Sequence, residues 1–441
     1  MTAGPGQLAP EERRALVRGT VYRVVGTPVV AVLGLANTAL IVRETGAAVF
    51  GLVSLVATVT LLLPFADLGI GAVVLSAGAL LSGPGYDPRA VDVIRRAYRV
   101  LISVAAALAA TAFVVMAIDG WGSLVGMSSG PDDRWAITVA AVLFALTIPA
   151  GLGVRILIGI DRNQLATLVM MSSAAFSLLL TLLLYWLDVG GIWYALSALG
   201  GVLIGHVLGT VLALRLSGLG WSVFAPVSAP AVRTRLLEGS LWLFLVGVGL
   251  PIGLQTGRIL LAHLSTPAQL SAYALTAQMY SVGWSVLSTA GMAYWPVFVK
   301  RRGAAEVTIR MWWRLTGVLG GVAAVGAVAL TVLGPWVASI LSGGEIEVSA
   351  SLAMTFGVLL VAQAAYLPAG VLLTRPNEAR WQTYWTAAMA AVSVGCGFAL
   401  AGPFGAVGVA GAAGFGVLAA QVVPALLWVP GLVRRRPPAG S

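Results

Sequence analysis

Residues 17–71 read VRGTVYRVVGTPVVAVLGLANTALIVRETGAAVFGLVSLVATVTLLLPFADLGIG. No charge appears between Arg23 and Arg43, and none between Glu44 and Asp67. A helix crossing the hydrocarbon core of a bilayer needs about 20 apolar residues. The stretch therefore reads as two crossings joined by a tight turn.

The same pattern continues to residue 430. Of 441 residues, 59% are hydrophobic and 10% charged, where a soluble domain carries about 25% charged residues. Spans are expected at 24–42, 49–72, 97–118, 135–157, 165–187, 192–214, 238–262, 268–296, 311–334, 349–373, 381–401 and 406–430. This is an all-α integral membrane protein of about 12 transmembrane helices. It leaves almost no mass outside the bilayer.

Several function classes drop out. No extramembrane segment can house a nucleotide-binding domain, and no Gly-rich loop ending in Gly-Lys-Ser/Thr occurs. The single cysteine, Cys396, excludes a disulfide framework and a thiolate metal site. His206 and His263 lie too far apart in sequence to form a local ligand motif. No cofactor or metal is expected.

The net charge of +10 reports orientation and not a nucleic-acid partner. With the N-terminus inside, 23 of the 26 basic residues fall in inner segments, from Arg13 to Arg436. The outer side keeps Arg43 and Arg134, while acids gather there at Asp119, Asp132, Asp133, Asp188, Glu345 and Glu347. That is the positive-inside distribution. It places both termini in the cytoplasm and the chain in the plasma (inner) membrane, its first span a retained anchor.

The expected organisation has a cytoplasmic interfacial segment at 1–23, where EERRALVRGTVYR alternates charge with apolar residues. An N-terminal lobe of six spans follows at 24–214, a Pro- and Ser-bearing linker at 215–237, a second six-span lobe at 238–430 and a basic tail at 431–441. Thr45-Gly46-Ala47 after span one resembles Thr266-Pro267-Ala268 after span seven. Six spans per half give both halves the same orientation, as in transporters built from parallel repeats.

Polar groups inside spans are costly, so their positions are the best guide to a site. Span eight carries Gln278, Ser281, Ser285, Ser288 and Thr289 on one helical face, read as the wall of a hydrated cavity. Span two carries Ser54 and Thr58, and span five Ser173, Ser177 and Thr181. Arg258 is the basic residue well inside a span, which leaves two readings, snorkelling or a ligand site. Asn37 and Gln255 are single amides within spans. Asp67 is either a helix cap or a cation- or proton-coupling residue. His206, within Gly201-x3-Gly205-x3-Gly209, reads as structural, whereas the ridge Gly249, Gly253 and Gly257 leaves two readings, close helix packing and a flexible gating helix.

The opening stretch resembles the first two helices of polysaccharide flippases, a branch of the multidrug/oligosaccharidyl-lipid/polysaccharide exporter superfamily. The resemblance lies in the basic residue at the mouth of helix one, the turn Thr45–Gly51, and Ala66-Asp67-Leu68-Gly69-Ile70-Gly71. It extends to Gln255-Thr256-Gly257-Arg258-Ile259-Leu260 and to Tyr273-Ala274 in the second half. Where members often carry an acid before the helix-seven arginine, this chain has Gly257.

The resemblance implies two six-helix lobes around a cavity lined by helices one, two, seven and eight. It implies a polyprenyl-pyrophosphate-linked oligosaccharide as cargo, moved from the inner to the outer leaflet by alternating access. The partners are then the lipid-linked glycan, the phospholipid bilayer and glycan-assembly proteins. Tyr22, Arg23 and Asp67 would meet the head group from inside, and Arg43 and Arg258 nearer the exit. Asn37, Gln255, Gln278, Ser281 and Ser285 complete the substrate-binding candidates, with Asp67 the ion-coupling one. Two other readings stand beside it: a cation-coupled drug or metabolite antiporter of the same superfamily, and a membrane-embedded glycan-assembly enzyme. The lack of paired membrane-facing acids speaks against the enzyme.

Overall fold

The computed structural model describes residues 10–58, 70–81, 88–126, 130–224, 237–301, 304–373 and 375–434. The described residues are helices and their connections, without strands. The N-terminal half holds α1 (Pro10–Ala57), α2 (Ile70–Leu81), α3 (Pro88–Ala117), α4 (Trp121–Val125), α5 (Pro131–Ala150), α6 (Leu152–Gly159), α7 (Asn163–Trp186) and α8 (Ala195–Leu216). The C-terminal half holds α9 (Leu237–Leu264), α10 (Pro267–Met292), α11 (Trp295–Arg301), α12 (Ala305–Ser342), α13 (Ala350–Leu372), α14 (Pro376–Val417) and α15 (Val423–Arg434).

Nine segments of the described residues are long and apolar enough to span a membrane, and the longest, Glu378–Arg434, has 57 residues. Straight, it would measure about 85 Å, against a hydrocarbon core of about 30 Å. It doubles back instead. Gly405 has φ 53° and ψ −135°, a conformation that only glycine adopts cheaply. A Cβ on Gly408 would lie 2.5 Å from the Leu400 carbonyl, and one on Gly416 2.2 Å from Ser393 Oγ. Gln421 Nε2 donates to Thr386 Oγ1 at 3.4 Å. All three pairs straddle Gly405, so the legs are antiparallel.

Gly46, at φ 74°, interrupts α1 in the same way. The leg before it passes Gln278 at Gly34, and the leg after it meets Leu270 and Ser271 at Gly51. Counting these turns, the described residues give helix over each of the twelve expected apolar runs, with residues 59–69 of the second run outside the description. The expected linker lies largely outside the described residues, as does Asp67. Arg23 is on α1, its side chain outside the description.

Helix starts are written locally. Thr266 Oγ1 accepts from Gln269 N–H ahead of Pro267, and Ser349 Oγ accepts from Leu352 N–H. Asp133 and Glu378 accept from Gly130 and Arg375 N–H, with proline at the first helical position of each helix. Past Val417 the backbone widens to a π-turn over Leu418–Val422 just before Pro424, which has no N–H to donate to residue 420.

Glycines let the helices touch. A Cβ on Gly201 or Gly205 would come within 2.5 Å of Ser177 N or Ser173 Oγ, closing α8 onto α7. On α9, the ridge Gly249 and Gly253 faces Thr386 and Met389 of α14 at 2.8 and 2.5 Å. His206 rests against the Thr147 carbonyl at 3.3 Å, a structural contact.

The two halves meet at one end. Among the described residues, four hydrogen bonds join them. Arg43 Nη2 donates to the Ile340 carbonyl (2.9 Å), Arg258 Nη1 to Thr58 Oγ1 (2.9 Å), and Ser271 Oγ to the Ala47 carbonyl; His263 Nε2 sits 3.0 Å from the Ser123 carbonyl. All lie in the half bounded by the turns at Gly46, Thr266 and Gly343.

Candidate functional site

With its glycine ridge against α14, α9 turns the opposite face, Ile252, Gln255, Thr256 and Ile259, toward the N-terminal half. There it lines a chamber of about 480 Å³. The second leg of α1 adds Leu55 and Val56, with Thr58 just past its end, α4 adds Trp121, Leu124 and Val125, and α5 adds Ile137 and Phe144. The chamber thus draws walls from both lobes beneath the contacts that join them. Trp121 Nε1 donates to Thr138 Oγ1 at 2.9 Å, so the indole offers its ring alone.

Arg258 stands behind the polar edge of this chamber. It is 8% exposed. Nη1 donates to Gln255 Oε1 at 2.8 Å and to Thr58 Oγ1 at 2.9 Å, and Nε is buried without a partner. Both acceptors are neutral, and among the described residues no carboxylate pairs with the guanidinium. A buried charge left in this state is costly. Snorkelling is not what the side chain does, for it points inward.

A second polar group lies between the first leg of α1 and α7. Asn37 is buried and its Nδ2 donates to Ser177 Oγ at 3.2 Å, while Asn37 Oδ1 and Thr181 Oγ1 are buried without partners. Gln278 approaches Gly34, one turn away on the same helix as Asn37. On α10, Ser281 donates to the Gln278 carbonyl, and Ser288 and Thr289 both donate to the Ser285 carbonyl. Those hydroxyls offer lone pairs but no proton to a ligand.

The structure therefore brings Gln255 and Arg258 together with Thr58, and Gln278 near Asn37. Arg43 is apart, exposed at the closed end on the Ile340 carbonyl. Sequence reasoning missed the contact of His263 with Ser123 and the bond of Ser271 to Ala47. His263 ends a helix and Ser123 sits in a five-residue one, so neither carries a periodic signal.

The family model described as "Polysaccharide biosynthesis protein" matches residues 16–301. No curated protein matches the chain by sequence. Among solved structures, an inward-facing conformation of a multidrug resistance MATE family transporter of the MOP superfamily superposes with a TM-score of 0.70 at 15% identity, covering 94% of this chain and 98% of that one. An outward-facing conformation of such a transporter gives 0.60 at 15% identity, covering 96% and 97%. A MOP superfamily transporter from Pyrococcus furiosus, described as having a binding pocket of reverse polarity, gives 0.60 at 14% identity, covering 96% and 97%. These likenesses establish the fold: all-helical, in two lobes.

Proposed function

Because the chain belongs to the polysaccharide biosynthesis protein family and has the fold of MOP-superfamily transporters, we propose that it flips a polyprenyl-pyrophosphate-linked oligosaccharide across the plasma membrane by alternating access. The observation that carries the reading is Arg258, a buried cation between the lobes held only by neutral oxygens. A diphosphate is the complementary group, since guanidinium donates paired, charge-assisted hydrogen bonds to phosphate oxygens. Asn37, Gln278, Ser281 and Ser285 supply acceptors and amides suited to sugar hydroxyls, with Arg23 and Arg43 toward the two mouths and Asp67 as the candidate for ion coupling. No step here calls for chemistry on the cargo, so the chain acts as a transporter and not as an enzyme.

The test is export. Arg258→Ala abolishes surface glycan at matched protein levels, and Arg258→Lys retains part of it, because lysine keeps the charge and loses the planar fork. Full export by Arg258→Ala would remove Arg258 from the site.

The closed end carries the acids, and we place it outside by the positive-inside rule; the lobes then part toward the cytoplasm. In a Cys396→Ala background, cysteines at Asp132 and Glu345 react with an impermeant thiol reagent on intact cells, and one at Arg301 does not. Labelling at 301 alone would invert the assignment.

Drug antiport is the second reading, favoured by the superposition on multidrug transporters. It calls for acids deep in the membrane. The buried charged side chains among the described residues are Arg258 and Glu378, and Glu378 opens α14 at the end away from the lobe contacts.

A further inference from the structure

We propose that His263 is a proton-operated latch on the closed end, a positioning residue that in its imidazolium form ties α9 to α4 and so holds the lobes together. The imidazole stands in the last turn of α9. Its Nδ1 lies 2.9 Å from the Ile259 carbonyl, and its Nε2 3.0 Å from the Ser123 carbonyl, 140 residues away in the other lobe. Both partners are carbonyl oxygens, which only accept.

A neutral imidazole has one N–H and one lone pair. Whichever tautomer it takes, it must set that lone pair against one of the two carbonyl oxygens, at 2.9 or 3.0 Å. The imidazolium has two N–H groups and satisfies both. The end of α9 favours the same form, since a cation near a helix C-terminus meets the negative end of the helix dipole. Closure and protonation therefore reinforce each other. The latch holds below the range in which histidine changes charge, about pH 5–8, and lets go as pH rises through it.

The local backbone is shaped to this contact. Gly126 ends α4 at φ 78°. A Cβ there would lie 2.7 Å from His263 Nδ1 and 2.9 Å from the Ala262 carbonyl, so any larger residue would push α4 off α9. Trp121, Leu124 and Val125 of α4 line the chamber, and the bond at Ser123 fixes that part of its wall.

Among the described residues no carboxylate pairs with the imidazole. On the elements packed against it, α4 carries no ionisable side chain, α14 none around its Gly405 turn, and α10 only Tyr273 and Tyr280. The neighbouring charges are Arg258 on α9, Arg43 and Glu44 on α1, Asp119 with Arg134 at 2.9 Å, and Asp132 and Asp133 at the start of α5. Ordinary carboxylates titrate near pH 4, below the histidine range, and His206 is the chain's other histidine. His263 is exposed, so it exchanges protons with the solution at its own end. That this is the outer solution rests on the orientation proposed above; the latch itself does not.

The experiment uses the full chain in phosphatidylcholine nanodiscs, both faces at one pH, with spin labels at 132 and 345 in a Cys396→Ala background. Between about pH 5.5 and about pH 8, the longer-distance population is expected to grow roughly three- to tenfold against the shorter one. His206→Gln keeps that response. His263→Gln, neutral throughout, abolishes it, and His263→Lys, charged throughout, abolishes it with the short distance dominant. Gel filtration checks folding. Should His263→Gln fail to fold, Gly126→Ala decides, since displacing α4 removes the response as well. A parent insensitive to pH, an opening on acidification, or an undiminished response in folded His263→Gln or Gly126→Ala would overturn the latch. Thiol labelling at 301 alone would overturn only its outer placement. A pH response in a protein that moves no lipid-linked glycan supports the latch and counts against the flippase reading alone.

Discussion

Arg258 joins the two lobes through a bond to a residue 200 positions away, Thr58. A hydrogen bond to a charged group contributes about 1.5–3 kcal/mol. Thr58→Val keeps the shape and removes the acceptor, so the closed end should lose about that much relative to the alternative state, a shift of roughly ten- to a hundredfold in population. Spin labels at 132 and 345 in a Cys396→Ala background report it: the distance distribution gains a longer component in Thr58→Val. An unchanged distribution would show that the bond does not hold the lobes. The sequence singled out Arg258 because a cation inside an apolar run stands out. Its partner, and the 140-residue separation of Ser123 from His263, could not be read, since periodicity along one helix says nothing about which helix faces it.

The helices themselves were legible, because hydrocarbon thickness dictates the apolar runs. Their ends were less so. The ninth span, expected at 311–334, belongs to α12, which runs Ala305–Ser342. Glu306, Arg310 and Arg314 mark the membrane boundary, but charged residues do not stop a helix. The five-residue α4, which roofs the chamber, is too short to show any period. Packing at glycine makes a sharper test of the elements. A Cβ on Gly153 would lie 2.3 Å from Thr210 Cα, whereas one on Gly317 meets nothing within 4 Å. Gly153→Ala should therefore destabilise by roughly 1–3 kcal/mol, as overpacking does. Gly317→Ala should be neutral or stabilising by up to about 1 kcal/mol. Thermal unfolding in detergent separates them, and equal melting temperatures would mean that α6 and α8 are not in contact at Gly153.

At the scale of the molecule, four hydrogen bonds join the two lobes at the end rich in acids among the described residues. Alternating access then requires those four contacts to break as the opposite ends come together. The turns at Gly46 and Thr266, alike in sequence, occupy the same place in the two halves, each joining the first two crossings of its lobe. The central claim is that these lobes carry a lipid-linked glycan past Arg258. The direct measurement is flipping in proteoliposomes of the purified chain, with a fluorescent polyprenyl-pyrophosphate oligosaccharide whose outer-leaflet fraction is bleached by an impermeant reductant. The account predicts a protein-dependent flip that is lost in Arg258→Ala and partly kept in Arg258→Lys. No flip by the parent chain, with proton- or sodium-driven uptake of a cationic dye in the same vesicles, would contradict it.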